Sequence, residues 1–532
     1  MHRTRYGNVT LVERPFRPVV TGIEWSPAGV LTLKGSFRGP TGEYEVVIRS
    51  RRGGEFYMVP LRHDAEAARF TAELSPGSVS SLAGNRPLAE GQWEFLVSPP
   101  GRAQTAAVNA VLDHDLLAAL PVSAKIGHKL FRVGVQGYDL PVLEVDRDLE
   151  EDERGGFRQR QLRTAFYATQ RQRELRDVVL YDCFGGREYS DNPRGIHEEL
   201  IRRDAPFEHL WVVRDGGCVP PGTAVAVREL SKDYYEAYAS ARYVVSNDHW
   251  PRSVARRPEQ AWLQTWHGAP LKRIGHDLAG RPKAVREYRG VLRQPSENWQ
   301  YVVSPGAFAT PILQRAFSPN AQVIETGLPR TDVLFRPDRE RLAAEVKVRL
   351  GVPADKRVVL YAPTYRDHLG ARDGYRFGPL LDMAALRSAL GEDDVLLFRK
   401  HRSMVGALPW EADGFIDVSA FPDATELLLA VDVLVTDYSS AIFDFASTNR
   451  PMVFFTPDLE TYRDTIRGFS IDFEAEAPGP LLRTTEDVVD ALRDLDAVGA
   501  SFSERYERFV ATYCALADGR AASRVVERVF RW

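Results

Sequence analysis

Two histidines, several guanidinium groups and a pair of adjacent serines stand in this 532-residue chain directly after apolar, strand-like runs. Polar groups at such places have a structured backbone behind them and open space ahead. In QTWHGAP, His267 follows the run AWLQTW, Gly268 frees the backbone to turn, and Pro270 stops the strand. An imidazole there accepts a proton near neutral pH; the position equally suits a loop histidine bonded to backbone. In LLFRKHRS, His401 is flanked by Arg399, Lys400 and Arg402. That group of cations either receives an anion or forms a solvated basic turn. In VDVLVTDYSSAIFDFA the strand ends near Asp437 and a helix begins near Ala441, with Ser439 and Ser440 at its start. Unpaired N–H groups and the helix dipole attract phosphate at such a place. A serine there also caps the helix, and the two roles are compatible. Asp437 either fixes the loop or binds a substrate hydroxyl. In LYAPTYRD, Thr364 and Arg366 leave another strand; the guanidinium either grips phosphate in bidentate fashion or pairs with Asp367.

The sequence has no H-E-x-x-H, no paired C-x-x-C, no G-x-S-x-G elbow, no G-x-G-x-x-G and no P-loop. What remains suits transfer at a phosphate with no required metal or cofactor. Histidine handles the proton, while cations and helix N–H groups hold spreading negative charge.

The elements that position these groups follow from periodicity. Over residues 1–150, short alternating runs such as EYEVVIRS and GQWEFLVS, separated by Gly/Pro/Ser turns, predict an antiparallel β-sandwich that ends in the acidic linker DRDLEEDERGG. Trp25 and Trp93 read as core residues. From residue 157, apolar runs alternate with helical segments: DVVLYDCF, HEELIRR, HLWVVRD, RYVVSND, AWLQTWHG. That is the βαβ rhythm of a parallel sheet covered on both faces. The helical stretch RERLAAEVKVRLG separates it from a second such block, and helices near 485–498 and 503–531 close the chain. The fold class is therefore α/β, with two Rossmann-like lobes over 151–350 and 351–532 facing each other across a cleft. Ligands of parallel sheets bind beyond the carboxyl ends of the strands, where the singled-out residues fall.

Composition narrows the function classes. With 69 basic and 73 acidic side chains the net charge is −4, which argues against a nucleic-acid partner. Hydrophobic residues make up 44% and charged residues 27%, ordinary globular values. Cys183, Cys218 and Cys514 lie too far apart for a disulfide framework and suggest a reducing compartment. No run of about 18 apolar residues predicts a transmembrane helix, and the N-terminal MHRTRYGNVTLVERP lacks the apolar stretch of a signal peptide. In FRQRQLRTAFYATQRQRELR, six arginines oppose Glu174, and Leu162, Ala165, Phe166 and Thr169 approximate one helical face. Such a helix either lies on an anionic bilayer or packs on the first lobe.

QTWHGAPLKRIG, LYAPTYRD, FRKH and TDYSSAIFDFA, followed by RPMVFFTPDLETYRDTIRGFSIDFEAEAPGPLL, closely resemble the CDP-glycerol glycerophosphotransferase family, the teichoic acid primases and polymerases of bacterial cell envelopes. YSDNP and TGLPRTDVL fit the same pattern, so the ordered set spans about residues 180–500. The resemblance implies a GT-B architecture and CDP-glycerol as donor. It implies an acceptor that is a lipid-linked saccharide or a poly(glycerol phosphate) chain, and a cytoplasmic enzyme peripheral to the inner membrane face. An acceptor hydroxyl attacks the glycerol-bearing phosphate and CMP leaves. The family's two essential histidines fall on His267 and His401, and its serine-rich pyrophosphate site on Ser439 and Ser440. Thr364 and Arg366 match the strand-end motif of the donor lobe. Arg399 and, less directly, Gly268, Asn192 and Arg467 join the candidate site. His267 is assigned as general base and His401 as the contact to the transferring phosphate or leaving group, although sequence alone permits the exchange of these roles. Two positions depart from the pattern: Ala269 stands where threonine is usual, and Arg402 where a proline often follows the second histidine. A ribitol-phosphate or other polyol-phosphate transferase, and a polymer-binding protein without activity, are the alternatives.

Overall fold

A computed structural model describes the chain except residues 1, 4–8, 11–15, 40, 52–54, 83, 100–106, 128, 148, 215–217, 219, 280–297, 318–319, 372–373, 376–380, 402–403 and 405–413. Arg402 therefore lies outside the described residues.

The alternating N-terminal runs form strands with one buried face. Tyr44, Val46 and Ile48 of Tyr44–Ser50 are buried, as are Trp93, Phe95 and Val97 of Gly91–Ser98. Hydrogen bonding runs unbroken through what the strand pattern reads as two sheets. The order is Val111–Leu112, Val19–Trp25, Leu31–Ser36, Arg69–Leu74, Phe56–Asp64, Tyr44–Ser50, Gly91–Ser98, Leu140–Val145, Lys129–Gln136, Val122–Ile126. Neighbours are antiparallel except Val111–Leu112, which runs parallel to Val19–Val20. The sheet folds over one apolar core, so that Trp25 and Phe131 from distant strands meet at 6.3 Å between ring centroids. The indole N–H of Trp93 donates to the Ala89 carbonyl at 3.0 Å, which fixes this tryptophan as core.

The first parallel sheet has seven strands in the order Val225–Arg228, Glu208–Val213, Arg176–Asp182, Ala241–Ser246, Ala261–Gln264, Tyr301–Ser304, Gln322–Glu325. Its strands read as nearly continuous apolar runs because both faces are covered. On one face Val178, Leu180, Val244 and Trp262 pack with Tyr234, Tyr235 and Tyr238 of the helix Lys232–Ser240. On the other, Val179, Tyr181, Trp211 and Val245 pack with Ile196 and Leu200 of the helix Asp191–Arg202.

The basic segment is helical from Gly155 to Gln170, with a wider turn over Leu162–Phe166. Leu162 and Tyr167 enter the first-sheet core, whereas Ala165 and Thr169 face solvent. The true apolar stripe is thus rotated from the one read in sequence, and its burial draws the helix onto the protein. The outer face carries Arg158, Arg160 and Arg163 around Phe157, which is 67% exposed. Among the described residues no helix is long and apolar enough to cross a membrane.

Helix Arg339–Leu350 then leads out of the first sheet. It ends at Gly351, whose φ of 68° is the left-handed conformation that closes a helix without a Cβ clash. The second parallel sheet follows, in the order Ile416–Asp417, Asp394–Phe398, Arg357–Ala362, Val433–Thr436, Met452–Phe455, Leu481–Leu482. It too has a core on each face. The helical C-terminus divides into Thr485–Arg493, Leu495–Tyr513 and Ala521–Val529. The long helix read over 503–531 is interrupted between Tyr513 and Ala521, and the last piece turns back to the first sheet. Val525, Val526, Val529 and Phe530 pack with Val179 and Val245 there. Asp332 receives the start of this helix, accepting the N–H groups of Ala521 at 3.0 Å and Ala522 at 2.8 Å. Removing that acceptor by Asp332→Ala is expected to cost about 1–2 kcal/mol, the scale of a lost helix cap, read as a lower urea midpoint with unchanged slope.

Candidate functional site

The turn after Ala261–Gln264 is built by its own side chains. Gln264 accepts the Trp266 N–H at 2.8 Å and donates to the Asp248 carbonyl at 3.0 Å. Trp266 is thereby held at a φ of 53°, a conformation that costs a non-glycine residue about 1–3 kcal/mol. The strained turn places His267 half-buried, with its ring 4.4 Å from the Trp266 ring. His267 Nδ1 lies 2.8 Å from the Asn247 carbonyl oxygen. A carbonyl only accepts, so Nδ1 carries the hydrogen, and in the neutral ring Nε2 is the basic nitrogen. Asn192 is fully buried beneath this turn, donating to the Trp266 carbonyl at 3.1 Å.

The second sheet presents the other residues. Asp437 Oδ1 accepts the backbone N–H of Thr364 at 2.9 Å and also its hydroxyl, while Asp437 Oδ2 accepts from Arg366 at 2.8 Å. Arg366 further donates to both carboxylate oxygens of Asp458, at 2.7 and 3.0 Å, and to the Thr364 carbonyl at 2.8 Å. Its side chain is 1% exposed. Burial opposes its charge, but Asp437 and Asp458 outweigh burial and hold it protonated. Of the alternatives for these residues, Asp437 ties two strand-end loops together. Arg366 pairs with Asp437 and Asp458, while Asp367 pairs with Arg467 at 2.8 Å. Arg399 donates to the Val418 and Phe421 carbonyls, each at 2.9 Å, and so braces the loop that carries His401.

Ser439 and Ser440 are half-buried in the turn before the six-residue helix Ala441–Ala446. Ser439 Oγ accepts the Ala441 N–H at 3.2 Å, while Ser440, at the N-cap position, makes no side-chain capping bond. His401 is exposed, with its ring 4.7 Å from that of Tyr365.

Loops leaving the carboxyl ends of both sheets touch one another. Gly268 sits so close to the serine turn that a Cβ built on it would lie 2.6 Å from Ser440 Oγ. Arg330 joins the two halves more strongly. Its Nη1 donates to Asp191 at 3.0 Å and to the His267 carbonyl at 2.7 Å, and its Nη2 to Asp444, on the helix after the serines, at 2.7 Å. Its side chain is 6% exposed. Arg194 of the first lobe pairs with Asp423 and Glu426 of the second. The segment after His267 runs beside the second sheet's loop: Ser470 N–H donates to Leu271 at 2.8 Å, Arg273 N–H to Gly468 at 3.1 Å, and Arg467 Nε to the Arg273 carbonyl at 3.1 Å. Arg467 is therefore a buried junction residue. Sequence reading missed Arg330, Asp191, Asp444, Tyr365 and Lys272. Arg330 lies inside TGLPRTDVL, but one arginine after a proline has no spacing that reveals partners more than 100 residues away.

Among the described residues no group of three or more His, Cys, Asp or Glu side chains is placed to hold a metal. The cysteines are buried and unpaired, and burial pushes the Cys218 and Cys514 thiols up to about 12.

Comparison with known proteins connects this geometry to a family. The model of the CDP-Glycerol:Poly(glycerophosphate) glycerophosphotransferase family matches residues 165–531, and the chain belongs to that family. It is 36% identical over 378 residues to a teichoic acid poly(glycerol phosphate) polymerase of Bacillus subtilis (strain 168), covering 69% of this chain and 50% of the relative. It is 35% identical over 365 residues to a teichoic acid glycerol-phosphate transferase of Staphylococcus aureus (strain NCTC 8325 / PS 47), covering 67% of this chain and 93% of that one. The chain thus spans about half the length of the Bacillus polymerase and nearly all of the Staphylococcus transferase. A solved structure of the wall teichoic acid polymerase TagF, a histidine-to-asparagine variant with CDPG, superposes with a TM-score of 0.63 at 32% identity, covering 70% of this chain and 93% of that chain.

Arg330→Met leaves the buried carboxylate of Asp444 without its cation, and a broken buried pair costs about 3–5 kcal/mol. Urea denaturation should show a loss of that size. The double variant with Asp444→Leu should regain part of it, because the unpaired charge is then gone.

Proposed function

We propose that the protein transfers glycerol phosphate from CDP-glycerol to a hydroxyl of a poly(glycerol phosphate) or lipid-linked acceptor and releases CMP. Membership of the family and similarity to glycerol-phosphate transferases support the donor. The observation that carries the reading is the packing of the His267 turn against the serine turn, with Gly268 pressed on Ser440. In this reading the two parallel sheets are the lobes of a GT-B enzyme, with the acceptor side over 151–350 and the donor side from 351, and with Ala521–Val529 attached to the first lobe. The β-rich residues 1–150 are an accessory domain.

His267 is the general base. Nδ1–H is anchored on the Asn247 carbonyl, so Nε2 takes the acceptor proton as the hydroxyl oxygen bonds to the glycerol-bearing phosphorus. The bond from that phosphorus to the bridging oxygen breaks, and CMP departs with the electron pair. Ser439, Ser440 and the N–H groups of their turn hold the diphosphate. His401 meets the transferring phosphate or the leaving group. Thr364, Asp437 and Arg366 act indirectly, as the frame that holds the serine turn.

His267→Ala should keep the fold and donor binding and lose about 10²–10⁴ in the rate of CMP release. Wild-type turnover by a folded His267→Ala protein removes this assignment. CDP-glycerol should outrun CDP-ribitol in the same assay; the reverse order assigns a ribitol-phosphate transferase.

The exposed Arg158, Arg160 and Arg163 around Phe157 support an anionic membrane contact for the outer face of the Gly155–Gln170 segment. Sedimentation with phosphatidylglycerol vesicles should fall as salt rises, and should drop further when these three arginines become glutamate. Equal sedimentation with and without vesicles rejects the contact.

A further inference from the structure

The segment that carries His267 brings a second ionisable group across to the other lobe. Leu271 is buried in the core of the second sheet, although it belongs to a loop of the first. Lys272 forms an antiparallel bridge with Phe469, and the flanking hydrogen bonds to Gly468 and Ser470 fix its backbone. Its side chain is therefore directed by the junction itself. Lys272 Nζ lies 5.5 Å from the centroid of the Tyr365 ring. The same ring stands 4.7 Å from that of His401, and the Tyr365 hydroxyl accepts from Arg467 at 3.3 Å.

The charged groups facing Lys272 are Arg366, Asp367, Asp437 and Arg467. Both carboxylates are already engaged: Asp367 by Arg467 at 2.8 Å, and Asp437 by Arg366 at 2.8 Å. Among the described residues the Lys272 ammonium makes no ion pair and no hydrogen bond. A half-buried ammonium without a counter-ion is costly to keep charged. Burial first, and then the Arg467 charge, push its pKa from the ordinary lysine value down to about 7.

We propose that Lys272, whose Nζ stands over the same Tyr365 ring that His401 meets, is the cation that receives the diphosphate of the nucleotide donor. The proposal rests on the donor reading above and adds to it a residue from the acceptor-side lobe. The incoming anion supplies a counter-charge that none of the described residues supplies. A compact ammonium is suited to a phosphate that changes shape during transfer, because it imposes no fixed fork. Because the ammonium is favoured only when the anion is present, binding takes up a proton above pH 7.

Calorimetric titration of the full chain tests this, with CDP-glycerol, CDP and cytidine as probes. At pH 8 the wild-type protein should take up about one proton per CDP-glycerol, read from buffers of different ionisation enthalpy. Lys272→Gln should weaken CDP-glycerol and CDP by about 10- to 100-fold, the scale of a lost charge-assisted hydrogen bond, and leave cytidine unchanged. Lys272→Arg should bind CDP-glycerol within a few-fold of wild type and lose the proton uptake, since a guanidinium stays charged. Wild-type affinity for CDP-glycerol in Lys272→Gln overturns the proposal, as does an equal loss for cytidine. If Lys272→Gln fails to fold, proton uptake by Lys272→Arg equal to that of wild type overturns it instead. A wild-type protein that binds neither CDP-glycerol nor CDP defeats both the donor reading and this one, whereas binding that ignores Lys272 defeats only the second.

Discussion

A single buried guanidinium holds together the parts on which the site depends. Arg330 meets Asp191 at the start of one helix, Asp444 within another, and the carbonyl of His267 itself. An arginine this deeply buried is tolerable only with several acceptors in its plane, since an unpaired charge in the interior costs several kcal/mol. The guanidinium is planar and its donors point in fixed directions. Satisfying three acceptors at once therefore constrains where they stand, and two come from the first lobe and one from the second. The His267 turn and the serine turn are positioned against each other by the same side chain. Neither van der Waals contact between Gly268 and Ser440 nor the apolar cores beneath the sheets have that directional demand.

Around this clasp the arginines at the strand ends are held by acceptors of the protein. Arg366 is matched by Asp437 and Asp458, and Arg467 by Asp367. Arg399 is held by two carbonyls. These arginines are fixed in place by acceptors of the protein and make a rigid frame. Tyr365, which accepts from Arg467, carries the ring that both His401 and Lys272 approach. Donors fixed in advance need no reorganisation when charge develops beside them.

Much of the fold was legible because periodicity reports burial. Strands such as Arg176–Asp182 and Val433–Thr436 are covered on both faces, and their unbroken apolar runs state that directly. The helix Arg339–Leu350 announced its end through Gly351. Burial by remote segments was not legible. The helix Ala521–Val529 has the amphipathic pattern of any surface helix, and nothing in that pattern says that its partner is the first sheet. The basic segment shows the same limit: Leu162 and Phe166 were on the chosen stripe, but a wider turn there brings Tyr167 inward and leaves Ala165 outside. The chemistry-bearing residues singled out in sequence do stand in loops that follow strands of the two parallel sheets, and the loops of Gly268 and Ser440 meet. Which of them are tied into buried ion pairs depended on partners such as Asp458, 92 residues beyond Arg366.

The N-terminal sheet stands in a different relation to the rest. Family similarity begins at residue 165, beyond its last strand. It has its own core, closed by residues such as Phe131 and Trp93. Its links to the lobes include long ion pairs at partly exposed positions, Arg214 to Glu90 and Arg147 to Glu229, both at 3.9 Å, and the Arg349 guanidinium on the Leu82 carbonyl at 3.3 Å. Ion pairs of this kind contribute about 0–1 kcal/mol each and are screened by salt. The halves built on the two parallel sheets are joined through buried charge, as at Arg330, and through Leu271 in the second-sheet core. Leu82 adds an apolar contact to the core of the second sheet, so the N-terminal sheet meets the rest of the chain through polar and apolar groups alike.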